Sequence, residues 1–320
     1  MDPELIERLE KLQEKYSATG QDIKAYLDGL IYADYLKYWD YVEVDTLLSL
    51  QKPRTPFPDE LIFIVYHQIT ELYFKLSLHE LRQIAEHENL DKKFFKERLT
   101  RVNRYFEALT KSFEIMIQGM EKEQFLKYRM SLLPASGLHS AQYRKVEIFS
   151  TNFRQLGEKD ERHRYSEDPN EQSIEEMFKY IYWKKGATEL ESGKKTLTLR
   201  QFEEKYKADF IEIGDSLKHK NMWSRYLELQ SKESEEDESL ILQMRQLDVN
   251  VNINWPLVHY KSAARYLHLD PTDIPATGGT NWQRYLPPKF QKRIFYPSLW
   301  TTQEKDEWGR QWVESVALKK

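Results

Sequence analysis

Two single histidines within largely apolar helical patterns are the clearest candidates for chemistry in this sequence. His67 lies in the run 57–81, where residues 63, 67, 70, 74 and 78 share one face of a helix and the imidazole interrupts an apolar stripe. His259 follows Pro256 at the start of a second apolar segment. A buried imidazole needs a polar partner. Each histidine is therefore either a core residue bonded to a backbone carbonyl or a group with a chemical role.

The element that must position His67 has the features of a long buried helix. Pro58 suits its first turn, Asp59 and Glu60 suit its positive N-terminal end, and neither Gly nor Pro interrupts the twenty residues that follow. Helical periodicity also marks the segments 3–16, 90–120, 174–183, 199–217 and 222–251, whereas the polar segment 150–173 is typical of an exposed loop. Periodicity therefore predicts helices along much of the chain.

Composition narrows the class of protein. The 320 residues include 31% charged and 40% hydrophobic side chains, which is typical of a globular chain, and the net charge of −4 gives no reason to expect a nucleic-acid partner. The N-terminus lacks the basic start and apolar run of a signal peptide, and no run is long enough to cross a membrane. We therefore expect a cytoplasmic protein with no membrane partner.

Several kinds of catalytic centre are excluded by what the sequence lacks. It contains no cysteine, so disulfides, thiolate nucleophiles, zinc ribbons and thiolate-ligated haem are ruled out. The eight histidines are scattered singly, and HExxH, GxSxG, the P-loop and GxGxxG are all missing. Metal chemistry would therefore depend on single imidazole, carboxylate or tyrosine ligands.

Four stretches follow patterns of a known family. Around His67 the pattern F-I-x-x-H-Q-x-x-E-L-W-x-K matches at seven of its eight fixed positions, with Tyr73 in place of Trp. Around Arg129 the pattern is F-R-x-x-L-x-x-x-S-G-F-Q-S-x-Q-[YF]-R-x-x-E, and the matching residues are Arg129, Leu132, Ser136, Gly137, Ser140, Gln142, Tyr143, Arg144 and Glu147. The N-terminal pattern Y-x-x-Y-L-x-L-D-x-L-L-x-x-Q matches at Tyr38, Tyr41, Asp45, Leu47, Leu48 and Gln51. The fourth stretch has His259 followed by Thr277, Gly278, Gly279, Thr280, Tyr285 and Leu286.

With these motifs the chain resembles the tryptophan 2,3-dioxygenase family. The resemblance implies an all-α helical bundle of the indoleamine/tryptophan dioxygenase type, with haem b between helices and O2 as co-substrate. His259 would be the axial ligand of the haem iron, and Ser136 and Gly137 would contact the haem. A single imidazole ligand without a thiolate leaves the opposite face of the iron open for O2.

The resemblance also implies the substrate and its contacts. L-tryptophan or a related indole would be cleaved at the C2–C3 bond to N-formyl-L-kynurenine. His67 would bond to the indole N–H as the catalytic residue, while Phe63 and Phe125 form an apolar slot for the ring. Arg129 would bind the substrate carboxylate through its planar guanidinium. Thr277 would meet the amino and carboxylate end of the substrate.

The expected domain organisation is a single helical domain, 1–320, with an N-terminal arm over about residues 1–50. In the resembling family this segment reaches across to close the active site of a neighbouring subunit. Tyr38 and Tyr41 would thus contribute to substrate binding, and the chain would form a homo-oligomer, a tetramer by resemblance.

Departures from the patterns keep alternatives open. Phe125 stands where the family usually has Tyr, and Leu138-His139 stands for Phe-Gln, so the indole could differ from tryptophan. The spacing from His259 to Thr277 is about four residues longer than in the family, which leaves His268 as a rival iron ligand. The alternatives are a diverged haem oxygenase of the same superfamily that acts on a substituted indole, and a non-enzymatic helical protein that senses haem or binds a partner.

Overall fold

A computed structural model of the chain describes residues 2–33, 37–132, 139–188, 194–232, 237–268, 283 and 286–309. The chain divides into two compact units, Met1–Lys52 (the N-terminal unit) and Pro53–Lys320 (the C-terminal unit). Within the described ranges the regular structure is helical, with only two isolated β-bridges, Gly157–Ile181 and Thr188–Lys195. The predicted all-α fold is confirmed. None of the helices described is both long and apolar enough to span a membrane.

The N-terminal unit consists of short helices without a core of their own. They are α1 (Pro3–Ser17), α2 (Ile23–Ile31), α3 (Tyr38–Tyr41) and α4 (Val44–Leu48). The side chains of Asp2 and Asp22 cap the first two helices by accepting hydrogen bonds from backbone N–H groups. None of the residues that the structure describes in this unit is buried. Large aromatic and aliphatic side chains instead face solvent, notably Tyr38, Trp39, Tyr41 and Leu48.

The C-terminal unit is built around the helix that carries His67. This helix, α5, packs along α6 and α9, while α14 packs on α6 and α12 packs on α9. The helices are α5 (Asp59–Glu86), α6 (Lys92–Ser112), α7 (Glu114–Gln118), α8 (Lys122–Tyr128), α9 (Ala141–Ser150), α10 (Ile174–Lys179), α11 (Tyr182–Lys185), α12 (Leu197–Ser216), α13 (Met222–Lys232), α14 (Glu238–Val249), α15 (Trp255–Leu267), α16 (Pro288–Gln291) and α17 (Thr302–Asp306).

Two predicted segments differ from the structure. The periodic segment 90–120 is divided at Phe113 into α6 and α7. The segment 150–173 is predicted to be an exposed loop. This prediction is wrong for the first half of the segment, because Thr151, Phe153 and Leu156 are buried. Short 3-10 turns supply local backbone hydrogen bonds there, so a polar composition did not prevent burial.

An aromatic cluster joins four of the helices at the centre of the unit. The ring of Phe74 on α5 lies 6.0 Å from Phe106 on α6, 5.4 Å from Tyr143 on α9 and 5.7 Å from Trp255 on α15, measured between ring centroids. All four side chains are buried. Such contacts add to the free energy of burial and fix the rotation of each helix. The cluster therefore sets the positions of α5 and α15, the two helices that carry His67 and His259.

Two motif residues on α9 turn out to serve the scaffold. Glu147 is fully buried and accepts hydrogen bonds from Arg144 Nη1 at 2.8 Å and from the Tyr182 hydroxyl at 2.5 Å, and Arg293 also donates to it. A buried charge is tolerated only when it is paired in this way. The network ties α9 to α11 and to the segment before Phe295.

Candidate functional site

His67 lies in an opening of the C-terminal unit. Its Nδ1 is 2.7 Å from the carbonyl oxygen of Phe63, one helical turn earlier, and its ring centroid is 4.0 Å from that of Phe63. The residue is exposed to solvent, although many protein atoms lie around its ring. Burial within the unit lowers the pKa of His67 below its usual 6.5. The imidazole is therefore neutral at pH 7, and it lines the opening.

His259 has the same anchoring on α15. Its Nδ1 is 2.8 Å from the carbonyl oxygen of Trp255, and its ring lies 4.4 Å from the rings of both Trp255 and Phe113. Burial lowers the pKa of His259 from 6.5 to about 4. The ring is consequently neutral at all pH values near 7.

The two imidazoles belong to one site. A chain of ring contacts connects them. The ring centroid of Tyr66 lies 6.4 Å from that of His67 and 5.6 Å from that of Phe113, and Phe113 contacts His259. The residues are close enough that a positive charge on His67 would disfavour protonation of His259. With each Nδ1–H donated to a carbonyl of its own helix, each ring keeps its lone pair on Nε2. Within the part of the chain that the structure describes, neither Nε2 makes a hydrogen bond.

Phe125 and Arg129 approach the same site from α8 and the 3-10 turn that follows it. The ring of Tyr128 lies 6.2 Å from Phe63 and 5.7 Å from Phe125, and Phe125 lies 4.7 Å from Tyr266 of α15. Arg129 is one helical turn beyond Phe125 and is buried, with 7% of its surface exposed. Burial lowers the pKa of its guanidinium, which nevertheless stays charged at pH 7. A chain of aromatic rings thus links Phe63, beside His67, to Phe125, and a buried cation follows at the end of α8.

The N-terminus of α5 fixes the position of α8. Asp59 Oδ2 accepts a hydrogen bond from the backbone N–H of Glu121 at 2.6 Å, and the Asp59 N–H donates to Gln124 Oε1 at 3.2 Å. Asp59 therefore caps α8 from another helix, where no side chain of α8 itself caps it. This reciprocal pair sets the spacing between Phe63 on α5 and Phe125 on α8.

Five other predicted site residues lie outside the described part of the C-terminal unit. Thr277, Ser136 and Gly137 lie outside the described residues. Tyr38 and Tyr41 belong to the N-terminal unit and are 72% and 76% exposed. Their roles remain predictions.

His268, the rival ligand, lies at the C-terminal end of α15. It is exposed and nine positions after His259, which places it about half a turn away around the helix axis. The exposed position of His268 favours His259 as the ligand on the inner face of α15.

His139 replaces a family Gln. Its Nε2 lies 3.1 Å from the Thr198 carbonyl oxygen, and its ring stacks on Phe202 at 5.5 Å between centroids.

A site with only single imidazole ligands suits a cofactor that brings most of the metal ligands itself. Among the described residues there is no group of three or more His, Cys, Asp or Glu side chains that could hold a metal ion. A haem supplies four nitrogens itself and needs only one or two axial ligands from the protein. His259 offers a neutral Nε2 in aromatic surroundings, and such a nitrogen would suit the axial position of a haem iron.

Several site residues were missed in the sequence. Besides Asp59, they are aromatic side chains that hold the predicted residues: Tyr66, Phe113, Tyr128, Trp255 and Tyr266. Each of these rings has apolar neighbours in the sequence, which is also typical of an ordinary helix core. Nothing local distinguishes an aromatic ring beside a site from one in the core.

Comparison with known proteins gives consistent matches. The family model described as Tryptophan 2,3-dioxygenase matches residues 23–251. The chain is 37% identical over 123 residues to a tryptophan 2,3-dioxygenase of Ruegeria sp. (strain TM1040), an alignment that covers 38% of this chain and 43% of the relative. It is 37% identical over 120 residues to the protein of the same name from Ralstonia pickettii (strain 12J), covering 37% and 42%. A third, from Cupriavidus necator, is 38% identical over 123 residues, covering 38% and 41%.

These matches cover some of the predicted site residues and leave others out. The chain spans about two fifths of the length of the curated relatives it matches. The family match includes His67, Phe125 and Arg129 but ends at Val251, before His259. The role of His259 therefore depends on its geometry and on the motif that follows it.

Proposed function

The chain belongs to the tryptophan 2,3-dioxygenase family, and we propose that it binds haem and cleaves the indole C2–C3 bond of L-tryptophan with O2, giving N-formyl-L-kynurenine. One observation carries the proposal: His67 and His259 are neutral imidazoles that are each anchored through Nδ1 and are linked by a chain of aromatic rings, with the buried Arg129 following α8. Aromatic rings and a buried cation suit an indole that carries a carboxylate.

On the cofactor side, His259 would hold the haem through Nε2. The Trp255 carbonyl fixes the tautomer and the orientation of the ring. When bound, ferrous haem supplies the activation of O2 that addition to the indole double bond requires. Ser136 and Gly137 stay predicted haem contacts by resemblance.

On the substrate side, the protein binds and orients the indole. His67 Nε2 would accept a hydrogen bond from the indole N–H, because Nδ1–H is already donated to Phe63 and the ring is neutral. Phe63 and Phe125 would enclose the indole ring and exclude water. Arg129 would form a bidentate ion pair with the carboxylate and fix which way the substrate lies. Thr277 is proposed to meet the amino and carboxylate end.

The N-terminal unit is proposed to complete the site of a neighbouring subunit. Tyr38 and Tyr41 would cover the bound substrate there, and their exposure is what supports this role. We further propose that the chain is a homotetramer and that it acts in the cytoplasm. Native mass measurement of the purified chain tests the subunit number; a monomer at micromolar concentration would contradict it.

The function is tested by reconstitution. We expect the haem-free chain to bind one haem per chain. When the reduced complex is given L-tryptophan and air, the product should be heavier than tryptophan by two oxygen atoms. If the gain is one oxygen atom, or if only substituted indoles react, the chain is a diverged oxygenase of the superfamily, as Phe125 in place of Tyr could allow. A chain that cannot be reconstituted with haem would instead be a helical interaction protein.

Haem affinity should be nearly independent of pH between 8 and 5. Protons compete with the iron for Nε2, and the pKa of His259 is about 4, so affinity falls only as the pH drops through about 4. An imidazole with the ordinary pKa of 6.5 would lose roughly thirtyfold in affinity by pH 5. Haem titrations at pH 8, 6.5 and 5 measure this, and His268→Ala should give the same profile. A thirtyfold loss by pH 5 would mean that a solvent-exposed histidine is the ligand.

Asp59→Ala should raise the KM for tryptophan roughly tenfold and leave kcat within about twofold. The substitution removes the cap through which α5 holds α8, so Phe125 and Arg129 lose their spacing from Phe63 while His67 and His259 stay in place. Steady-state kinetics give KM and kcat separately. The control is Asp91→Ala, which removes a similar cap from α6 and should leave both constants unchanged. Equal effects of the two variants would show only a general loss of helix stability.

A further inference from the structure

The backbone between α14 and α15 forms one wide helical turn. Residues Asn250–Asn254 are π-helical, and the N–H of Trp255 donates to the carbonyl of Asn250, five residues earlier. Val249, Asn250, Asn254 and Trp255 all have right-handed helical dihedral angles. The helix that carries His259 is therefore the continuation of α14, with one residue inserted shortly before the histidine.

The inserted residue sets the direction in which His259 points. One residue advances an α-helix by about 100°, so every side chain after the wide turn is rotated by that angle from the direction an uninterrupted helix would give. The rotated helix places His259 beside Phe113 and within electrostatic range of His67. Wide turns of this kind occur at functional sites more often than elsewhere in helices. The register of this turn thus decides whether His259 faces the site.

Pro256 leaves the wide turn short of one hydrogen-bond donor. Proline has no N–H, and in the π-helical pattern the missing donor would have bonded to the carbonyl of Val251, five residues earlier. The Tyr143 hydroxyl on α9 donates to that carbonyl at 3.0 Å. Burial raises the pKa of Tyr143 to about 12, so the hydroxyl keeps its proton over the whole range in which the protein would work.

One intervening ring links Tyr143 to the residue that anchors His259. Its ring lies 5.4 Å from Phe74, which in turn lies 5.7 Å from Trp255, the residue whose carbonyl anchors the imidazole. The side chains of the turn have separate attachments: Asn250 donates to Asn103 at 3.2 Å, and Asn252 donates to Asp248 at 2.7 Å. Those bonds hold side chains, whereas the bond from Tyr143 holds the backbone of the turn itself.

We propose that Tyr143 is a positioning residue for the axial ligand: its hydroxyl replaces the missing N–H of Pro256, holds the wide turn in register and so aims His259 at the haem iron. The inference rests on the proposed function as far as haem is concerned. The part that concerns the turn does not depend on it.

The test compares Tyr143→Phe with Ser150→Ala. Both remove a buried hydroxyl of α9 that donates to a backbone carbonyl, but the Ser150 hydroxyl bonds to Val146 within α9 and not to the wide turn. In Tyr143→Phe alone we expect haem affinity to fall roughly tenfold and the iron–histidine stretching band of the ferrous complex to shift. In the haem-free chain, amide hydrogen exchange at residues 254–259 should become roughly tenfold faster.

Two results would overturn the inference. One is that the hydrogen exchange, the haem affinity and the spectrum of Tyr143→Phe all match those of Ser150→Ala. The other is faster exchange with unchanged affinity and spectrum, which would reduce Tyr143 to a structural role. If the wild-type chain bound no haem, the proposed function would fail, whereas the exchange of residues 254–259 would still decide whether Tyr143 holds the turn.

A second pair of variants tests the replacement of the proline N–H directly. Pro256→Ala restores a donor at this position, so the loss of the Tyr143 hydroxyl should matter less in its presence. We expect Tyr143→Phe to lower the urea midpoint clearly in the wild-type background and by less than half as much in the Pro256→Ala background. Equal shifts in the two backgrounds would mean that the hydroxyl does not stand in for the missing N–H.

Discussion

His259→Ala will lower the affinity of the chain for haem by more than about a hundredfold, which exceeds the usual effect of losing a residue that merely supports a metal ligand. The substitution removes the imidazole whose Nδ1 is anchored to Trp255 and whose Nε2 is the donor proposed for the iron. Alanine is compatible with a helix, so α15 should persist. Haem titration followed at the Soret band measures the loss, and circular dichroism checks that the variant is folded.

His268→Ala is the matched control, because it removes an imidazole from the same helix on its opposite, exposed side. We expect its haem affinity to equal that of the wild type. External imidazole should restore haem binding in part to His259→Ala by occupying the space that the side chain leaves. A normal haem spectrum in His259→Ala together with a lost spectrum in His268→Ala would assign the iron to His268 instead.

Arg129→Ala should lower kcat/KM for tryptophan by at least about a hundredfold, mainly through KM. Arg129 is buried, and loss of a buried partner from a hydrogen-bonded ion pair costs about 3 kcal/mol or more, which corresponds to a factor of roughly a hundred. Arg129→Lys keeps the charge but loses the planar fork, so its KM should lie between those of the wild type and Arg129→Ala. Haem binding should be unchanged in both variants.

Substrate analogues distinguish two causes of the effect of Arg129→Ala, the loss of the ion pair and a loss of packing. The wild type should discriminate strongly against tryptamine, which lacks the carboxylate, whereas Arg129→Ala should bind tryptamine and tryptophan with similar affinity. Binding can be followed from the change in the haem spectrum without turnover. If Arg129→Ala still discriminates against tryptamine as the wild type does, another residue binds the carboxylate.

The long helix and its histidine could be predicted because their signals are local. Pro58 at the start, uninterrupted periodicity and the imidazole on one face were enough to place His67 on a buried helix, and α5 runs from Asp59 to Glu86. That the ring lines an opening rather than the core was not predictable. It depends on α8 and α15, which lie far away in the chain and approach α5 only in the fold.

The wide turn shows a second limit of sequence patterns. Pro256 at the start of an apolar segment predicts the first turn of a helix, which is the usual position of a proline. The structure instead continues α14 through the proline, and the Tyr143 hydroxyl of another helix donates to the carbonyl of Val251 in the wide turn. Likewise Asp59 was assigned to the positive end of its own helix, whereas its carboxylate caps α8. Both roles arise from partners more than sixty residues distant in sequence.

The lack of any buried residue in the described part of the N-terminal unit has a consequence for enzymology. Short helices without a buried face gain little hydrophobic free energy and are marginal in water on their own. If their order comes from contact with a neighbouring subunit, mass action controls it. Specific activity will then decline on dilution, as sites lose the arms that cover them, and assays at nanomolar enzyme will underestimate the turnover that the assembled protein achieves at micromolar concentration.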